Sequence, residues 1–104
     1  MFEFKGIDLS TKYIRPETWE WLAEWADDDI YEDRPVMAHI YDGGFGVLIW
    51  TYSADAEDNR IPDDLRNIIG TALERGWRII VLDSDGADCE LFKSFEEEWE
   101  ALGK

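Results

Sequence analysis

The residue types that carry nucleophilic catalysis are scarce in this chain, and the pattern does not bring them together. His39 is the only histidine and falls in the middle of a strand-like segment, while Cys89 is the only cysteine and stands in an acidic stretch. A Ser-His-Asp or Cys-His pair needs a base within hydrogen-bond reach of its nucleophile, and nothing in the spacing supplies one. Cys89 has neither a CxxC partner nor the Cys/His spacing of a zinc site, so a small, partly buried apolar residue is the expectation. Asp83, Asp85, Asp88 and Glu90 invite a test as a calcium loop. That motif requires glycine at its sixth position and glutamate at its twelfth, where this chain has Asp88 and Ser94. Asp42-Gly43-Gly44-Phe45-Gly46 lies between two strand-like segments and not ahead of a helix, which makes it a hairpin turn and not a phosphate cradle. The sequence therefore predicts no catalytic residue, no metal site and no cofactor, and the chain is read as a non-enzyme.

What remains is chemistry of recognition, concentrated in residues 15–33, where three tryptophans are set among carboxylates. Pro16 suits the first turn of a helix and Glu17 complements the positive end of its dipole. The spacing predicts a helix over 16–28. Trp19, Leu22, Ala23 and Ala26 recur at i, i+3, i+4 and i+7 and are expected to face the core. Glu17, Glu20, Glu24, Asp27 and Asp28 share a different face, spaced by about 4.5 to 6 Å along the axis. Trp21 falls roughly opposite the core stripe and Trp25 between the two faces, so these two are candidate contact residues beside the acidic ladder.

The remaining elements give these residues a scaffold. Residues 2–9 alternate as a first strand, 36–41 and 45–52 form a hairpin, and 77–82 form an almost unbroken apolar strand of the interior type. A helix over 61–76 has Pro62 in its first turn, Asp63 and Asp64 at its positive end and Gly76 as terminator. A short strand is expected over 90–92. Ser94 to Glu97 fits a capping box leading into a final helix that carries Phe95, Trp99 and Leu102. The order strand, helix, strand, strand, helix, strand matches a single α+β domain over 1–104 of the ferredoxin-like split βαβ (βαββαβ) type with an added C-terminal helix. If helices cover only one face of that sheet, His39, Tyr41, Trp50 and Tyr52 stand on an open one and form an alternative surface.

Charge narrows the partners. The chain has 104 residues, enough for one domain with a real core, and 25 Asp and Glu against 10 Lys and Arg give a formal net charge of -15. Such a field repels nucleic acid and anionic membrane, and favours a basic protein surface. No apolar run is long enough to cross a bilayer, and the N-terminal residues lack the basic start and apolar core of a secretory signal, so a cytoplasmic location is expected.

Several short segments taken together carry a resemblance. Ser10-Thr11 with Ile14, Glu17-Thr18, the hairpin from Tyr41 to Gly46, Ile61-Pro62 with Asp64-Leu65, and Gly76 followed by Leu82-Asp83-Ser84-Asp85-Gly86 occur in this order. In these pieces the chain resembles an uncharacterised family of small bacterial proteins carried on plasmids and integrative mobile elements. It departs from the family in having Tyr13 where a histidine is common, and an acidic helix where the family ends in a short aromatic segment. The resemblance implies a mobile-element setting, in which small acidic proteins block host-defence nucleases of the restriction or CRISPR type.

Two functions follow. In the first, Glu17, Glu20, Glu24, Asp27 and Asp28 imitate nucleic-acid phosphates, which lie about 3.4 Å apart along each strand, while Trp21 and Trp25 anchor an inhibitor to a basic nucleic-acid-binding protein. In the second, His39, Tyr41, Trp50 and Tyr52 form the contact face of a general interaction module or homodimer.

Overall fold

The computed structural model describes residues 5–26, 36–41, 46–51, 54 and 56–102. The expectations for 2–4, 27–35, 42–45 and Tyr52 lie outside them. Within them the chain runs β1 (Gly6–Ser10), a single 3-10 turn (Thr11–Tyr13), α1 (Pro16–Ala26), β2 (Met37–Tyr41), β3 (Gly46–Trp50), α2 (Asp63–Arg75), β4 (Ile79–Asp83) and α3 (Glu96–Ala101).

The four strands form one sheet in the order β1-β4-β3-β2. β1 and β4 are parallel, with Leu9 opposite Leu82. β4 and β3 are antiparallel, as are β3 and β2. The α+β class is the expected one, but the ferredoxin-like order is not: a split βαβ arrangement places the first strand inside the sheet, and here β1 is an edge. The reason lies in the path after the hairpin. Trp50 at the end of β3 is level with Ile79 at the start of β4, so the chain returns to the end of the sheet that it left, with α2 lying between the two strands in sequence. β4 runs antiparallel to β3, where a split βαβ order would have them parallel. β4 then takes the place beside β3, and β1 is left with β4 as its one neighbour in the sheet.

Alternation sorts the side chains. Ile7, Leu9, Ala38, Ile40, Val47, Ile49, Ile80 and Leu82 point to one face, where they meet Leu22 of α1 and Leu65, Ile68, Ile69 and Ala72 of α2 in a single core cluster. α2 ends as its composition foretells: Gly76 adopts the left-handed conformation at φ 75°, which costs glycine nothing.

α1 is rotated from its expected setting. Thr18 and Leu22 are its buried centre, with Thr18 only 2% exposed, and Trp19 and Trp21 flank them, half-buried against the core. An apolar pattern cannot find a threonine at the centre of a core face, and the cause is a polar contact. Asp64, 8% exposed, accepts the Thr18 hydroxyl at 2.8 Å and the Arg15 backbone N–H at 2.8 Å. A side chain of α2 thereby satisfies a donor at the start of α1 that helix geometry leaves without an internal partner. The positive ends of both helix dipoles meet at this carboxylate.

The C-terminal part departs from expectation in two places. Residues 90–92 turn instead of forming a strand, because Phe92 folds inward to meet Tyr13 edge-on at 6.3 Å, and the Tyr13 hydroxyl accepts the Cys89 N–H at 2.6 Å. Cys89 is half-buried against the core, as its context suggests. The capping box does not close: Ser94 accepts only the Glu96 N–H, at 3.2 Å, and Phe95 occupies the cap. What holds α3 is a hydrogen bond from the Trp99 indole to the Ile14 carbonyl at 2.9 Å and the burial of Phe95, while Leu102 points to solvent.

Replacing Asp64 by alanine is expected to lower unfolding free energy by about 3 kcal/mol, because two donors at a helix junction lose their acceptor. Thr18→Val, which keeps shape, should cost about 1 kcal/mol. Urea unfolding followed by circular dichroism measures both; equal, negligible losses would show that the junction does not hold the helices.

Candidate functional site

Two surfaces compete for the role of contact face. On α1, Glu17, Glu20 and Glu24 are exposed and fall within about 60° of one another at 100° per residue, so the described part of the ladder is one stripe. None of the three forms an ion pair among the described residues. The nearby cation, Arg15, is directed elsewhere: it meets Asp63 at 2.8 Å and Glu98 at 3.9 Å, and its guanidinium lies 4.7 Å from the centre of the Phe95 ring. Asp27, Asp28 and the side chain of Trp25 lie outside the described residues. Trp21, expected opposite the core, instead packs against it, because the Thr18–Asp64 contact turns α1 so that Trp21 borders the buried face. Trp21 is therefore partly buried beside the stripe and not opposite the core.

The other surface is the second face of the sheet. α1 and α2 contribute their buried residues to the core on the opposite side, and the register sets the remaining strand residues on this face in cross-strand rows. His39, Leu48, Val81 and Asp8 form one row, and Met37, Trp50, Ile79 and Gly6 form the next. Leu48, Trp50, Ile79, Val81 and Met37 are half-buried, and His39 and Asp8 are exposed. An apolar centre bordered by His39 on one edge strand and Asp8 on the other has the layout of a protein contact face. The structure sets His39, Tyr41 and Trp50 of the alternative surface on one face with Leu48, and adds Ile79 and Val81, because β4, an interior strand, lies between β1 and β3.

Tyr41 has a structural task on this face. Its row is Tyr41, Gly46, Asp83, Ser10, and the phenol reaches across β3 to donate to Asp83 at 2.7 Å. Gly46 makes that crossing possible, since a Cβ there would collide with the Tyr41 ring. The other oxygen of Asp83 accepts the Asp85 N–H at 2.8 Å, and its carbonyl accepts the Gly86 N–H at 2.9 Å. Gly86 in turn lies against the backbone of Leu9 and Ser10 with no room for a side chain. The Leu82-Asp83-Ser84-Asp85-Gly86 segment is thus a clasp on the ends of β1 and β4. The Asp85 N–H, followed by the Tyr41 hydroxyl, holds the Asp83 carboxyl below its ordinary pKa. Among the described residues no three His, Cys, Asp or Glu side chains converge as metal ligands would, and no helix is long and apolar enough to cross a membrane.

The chain belongs to a family of unknown function, DUF5983, whose C-terminal domain model matches residues 6–97. That span includes every strand, α1, α2 and both partners of the Thr18–Asp64 and Tyr41–Asp83 contacts. Neither a curated protein nor a solved structure matches the chain.

A lowered folded pKa makes Asp83 contribute stability above its unfolded value, near the ordinary 3.8, and that contribution disappears as pH falls through the folded value. Tyr41→Phe removes one of the two hydrogen bonds to the carboxylate, so the Asp83 pKa is expected to rise toward the ordinary value. Carboxyl-detected NMR titration of both proteins reads it directly; an unchanged pKa would mean that the phenol does not act on Asp83.

Proposed function

We propose that this chain is a non-enzymatic binding protein that engages a basic protein through the open face of its sheet. The observation that carries the reading is the set of apolar residues Leu48, Trp50, Ile79 and Val81 on adjacent strands of the sheet face turned away from the helical core, each only partly buried. The formal net charge of -15 sets the partner's chemistry. A second copy would bring the same charge and be repelled, whereas a surface with an apolar centre and a Lys/Arg rim would be attracted over a distance and docked by apolar contact.

A second reading keeps the acidic stripe as the contact. Glu17, Glu20 and Glu24 are exposed and unpaired among the described residues, which supports a nucleic-acid-mimicking inhibitor of a basic host-defence protein of the anti-restriction or anti-CRISPR type, carried on a mobile element. The two readings share a partner class and differ in which face touches it.

Leu48→Arg places a charge in the middle of this face, and Glu17→Lys/Glu20→Lys/Glu24→Lys reverses the stripe; the glutamates are exposed and Leu48 is partly buried, so circular dichroism first establishes that both variants fold. Affinity capture from host lysate, followed by mass spectrometry and kinetics on the protein recovered, separates them. The sheet-face reading expects Leu48→Arg to abolish capture at any salt, and the triple reversal to slow association about tenfold or more with little change in dissociation. Loss of capture by the triple reversal alone, with Leu48→Arg still binding, would reject the sheet face and leave the stripe.

A further inference from the structure

On the reading that the partner is a basic protein, we propose that β1 is its docking edge, beside which an extended segment of the partner adds as a further strand. β1 has β4 as its one neighbour in the sheet, and in a parallel pair alternate residues turn both backbone groups away from that neighbour. The two ends of the strand are closed. The Lys5 carbonyl accepts the Arg78 N–H at 2.7 Å, and the Ser10 N–H donates to the Ala87 carbonyl at 3.0 Å. Between them, no segment among the described residues bonds to the outer backbone groups of Gly6 to Leu9. Gly6 and Asp8 are exposed, so the edge can be reached.

The residues of the edge select its occupant. Exposed edge strands are ordinarily guarded by lysine or proline, and Gly6-Ile7-Asp8-Leu9-Ser10 has neither. Its one charge is Asp8, at the centre, which forms no ion pair among the described residues. Two copies paired about the middle of β1 would set Asp8 against Asp8, and like charges directly opposite destabilise a sheet. A lysine or arginine in that place is attracted instead, and the net charge of -15 draws it from a distance. Alternation fixes the rest of the pattern. Asp8 ends the row that begins at His39, so the basic side chain of the added strand continues the face turned away from the helices. Its neighbours along the added strand fall on the core side, beside half-buried Ile7 and buried Leu9, where apolar side chains fit. Gly6 ends the adjoining row without a side chain, and a Cβ there would stand only 3.2 Å from the Ile79 Cβ. A bulky residue of the added strand can therefore lean over Gly6 onto Ile79. The segment that fits is one in which basic residues alternate with apolar ones.

The test is an NMR titration of the full chain, labelled with nitrogen-15, with a capped peptide of alternating lysine and valine about six residues long, the length of an ordinary strand. It is run beside a peptide with glutamate in place of lysine, and beside two forms of the basic peptide N-methylated at every lysine or at every valine. The basic peptide is expected to give saturable shifts centred on the Gly6 to Ser10 amides. One N-methylated form should bind about tenfold or more weakly than the other, because only one set of its N–H groups can face β1. The glutamate peptide should give no shift, and Asp8→Lys, an exposed position, should abolish binding of the basic peptide while its spectrum away from β1 stays that of the folded chain. No saturable shift, equal binding of the two N-methylated forms, full binding by Asp8→Lys, or shifts centred on Glu17, Glu20 and Glu24 instead of β1 would each overturn the proposal. The titration needs no captured partner, so it can fail while Leu48→Arg still abolishes capture, and succeed where capture follows the acidic stripe.

Discussion

A single buried carboxylate fixes how the helices of this protein begin. Asp64 receives the Arg15 N–H and the Thr18 hydroxyl, and joins the N-termini of α1 and α2 where their dipoles would otherwise place positive charge against positive charge. The neighbouring contacts extend the same junction. Arg15 reaches Asp63 on one side and Glu98 on the other, and Phe95 and Trp99 fasten α3 to the backbone of Lys12 and Ile14. With all three helices tied to residues 12–18, the core residues of α1 and α2 lie on one face of the sheet, and neither helix is part of the other face, whose apolar rows are only partly buried among the described residues.

The C-terminal end of the sheet's parallel pair, from which the chain passes into this junction, has its own closure. Asp83 holds Tyr41 across Gly46 and shapes the turn that brings Gly86 onto β1. Tyr41 therefore works as a brace that keeps β2, β3 and β4 level at the border of the apolar rows. His39, Leu48, Trp50, Ile79 and Val81 are displayed on a surface whose edges are pinned, which limits the ordering that a partner would otherwise have to impose on binding.

Much of this was legible in the residues. Local signals placed the hairpin, the start of α1 at Pro16, and the bounds of α2 through Pro62 and Gly76, because these depend on backbone chemistry within a few positions. The strand order was not legible: a four-residue alternation in β1 suits an edge or an interior, and its pairing with β4 joins residues more than seventy apart. The face that α1 buries depends on a distant residue in the same way. Hydrophobic periodicity ranks Thr18 among exposed residues, and only a carboxylate 46 positions away makes its burial favourable. Asp64 is a dipole partner of α2, as its place in the first turn predicts, and its reach to α1 is a tertiary fact. In the sequence Phe45, Val47 and Ile49 alternate with Leu48, Trp50 and Tyr52, so both faces of this strand read as apolar. Which one the helices cover could not be read from the strand alone.

The central claim is that the open sheet face, and not the acidic stripe of α1, meets the partner. Hydroxyl-radical footprinting of the complex with the captured partner tests it most directly, because Met37, His39 and Trp50 are reactive side chains on that face. The account predicts that their oxidation falls several-fold on binding while the α1 peptide containing Glu17, Glu20 and Glu24 is unaffected. Protection of the α1 peptide with undiminished oxidation of Met37, His39 and Trp50 would contradict it.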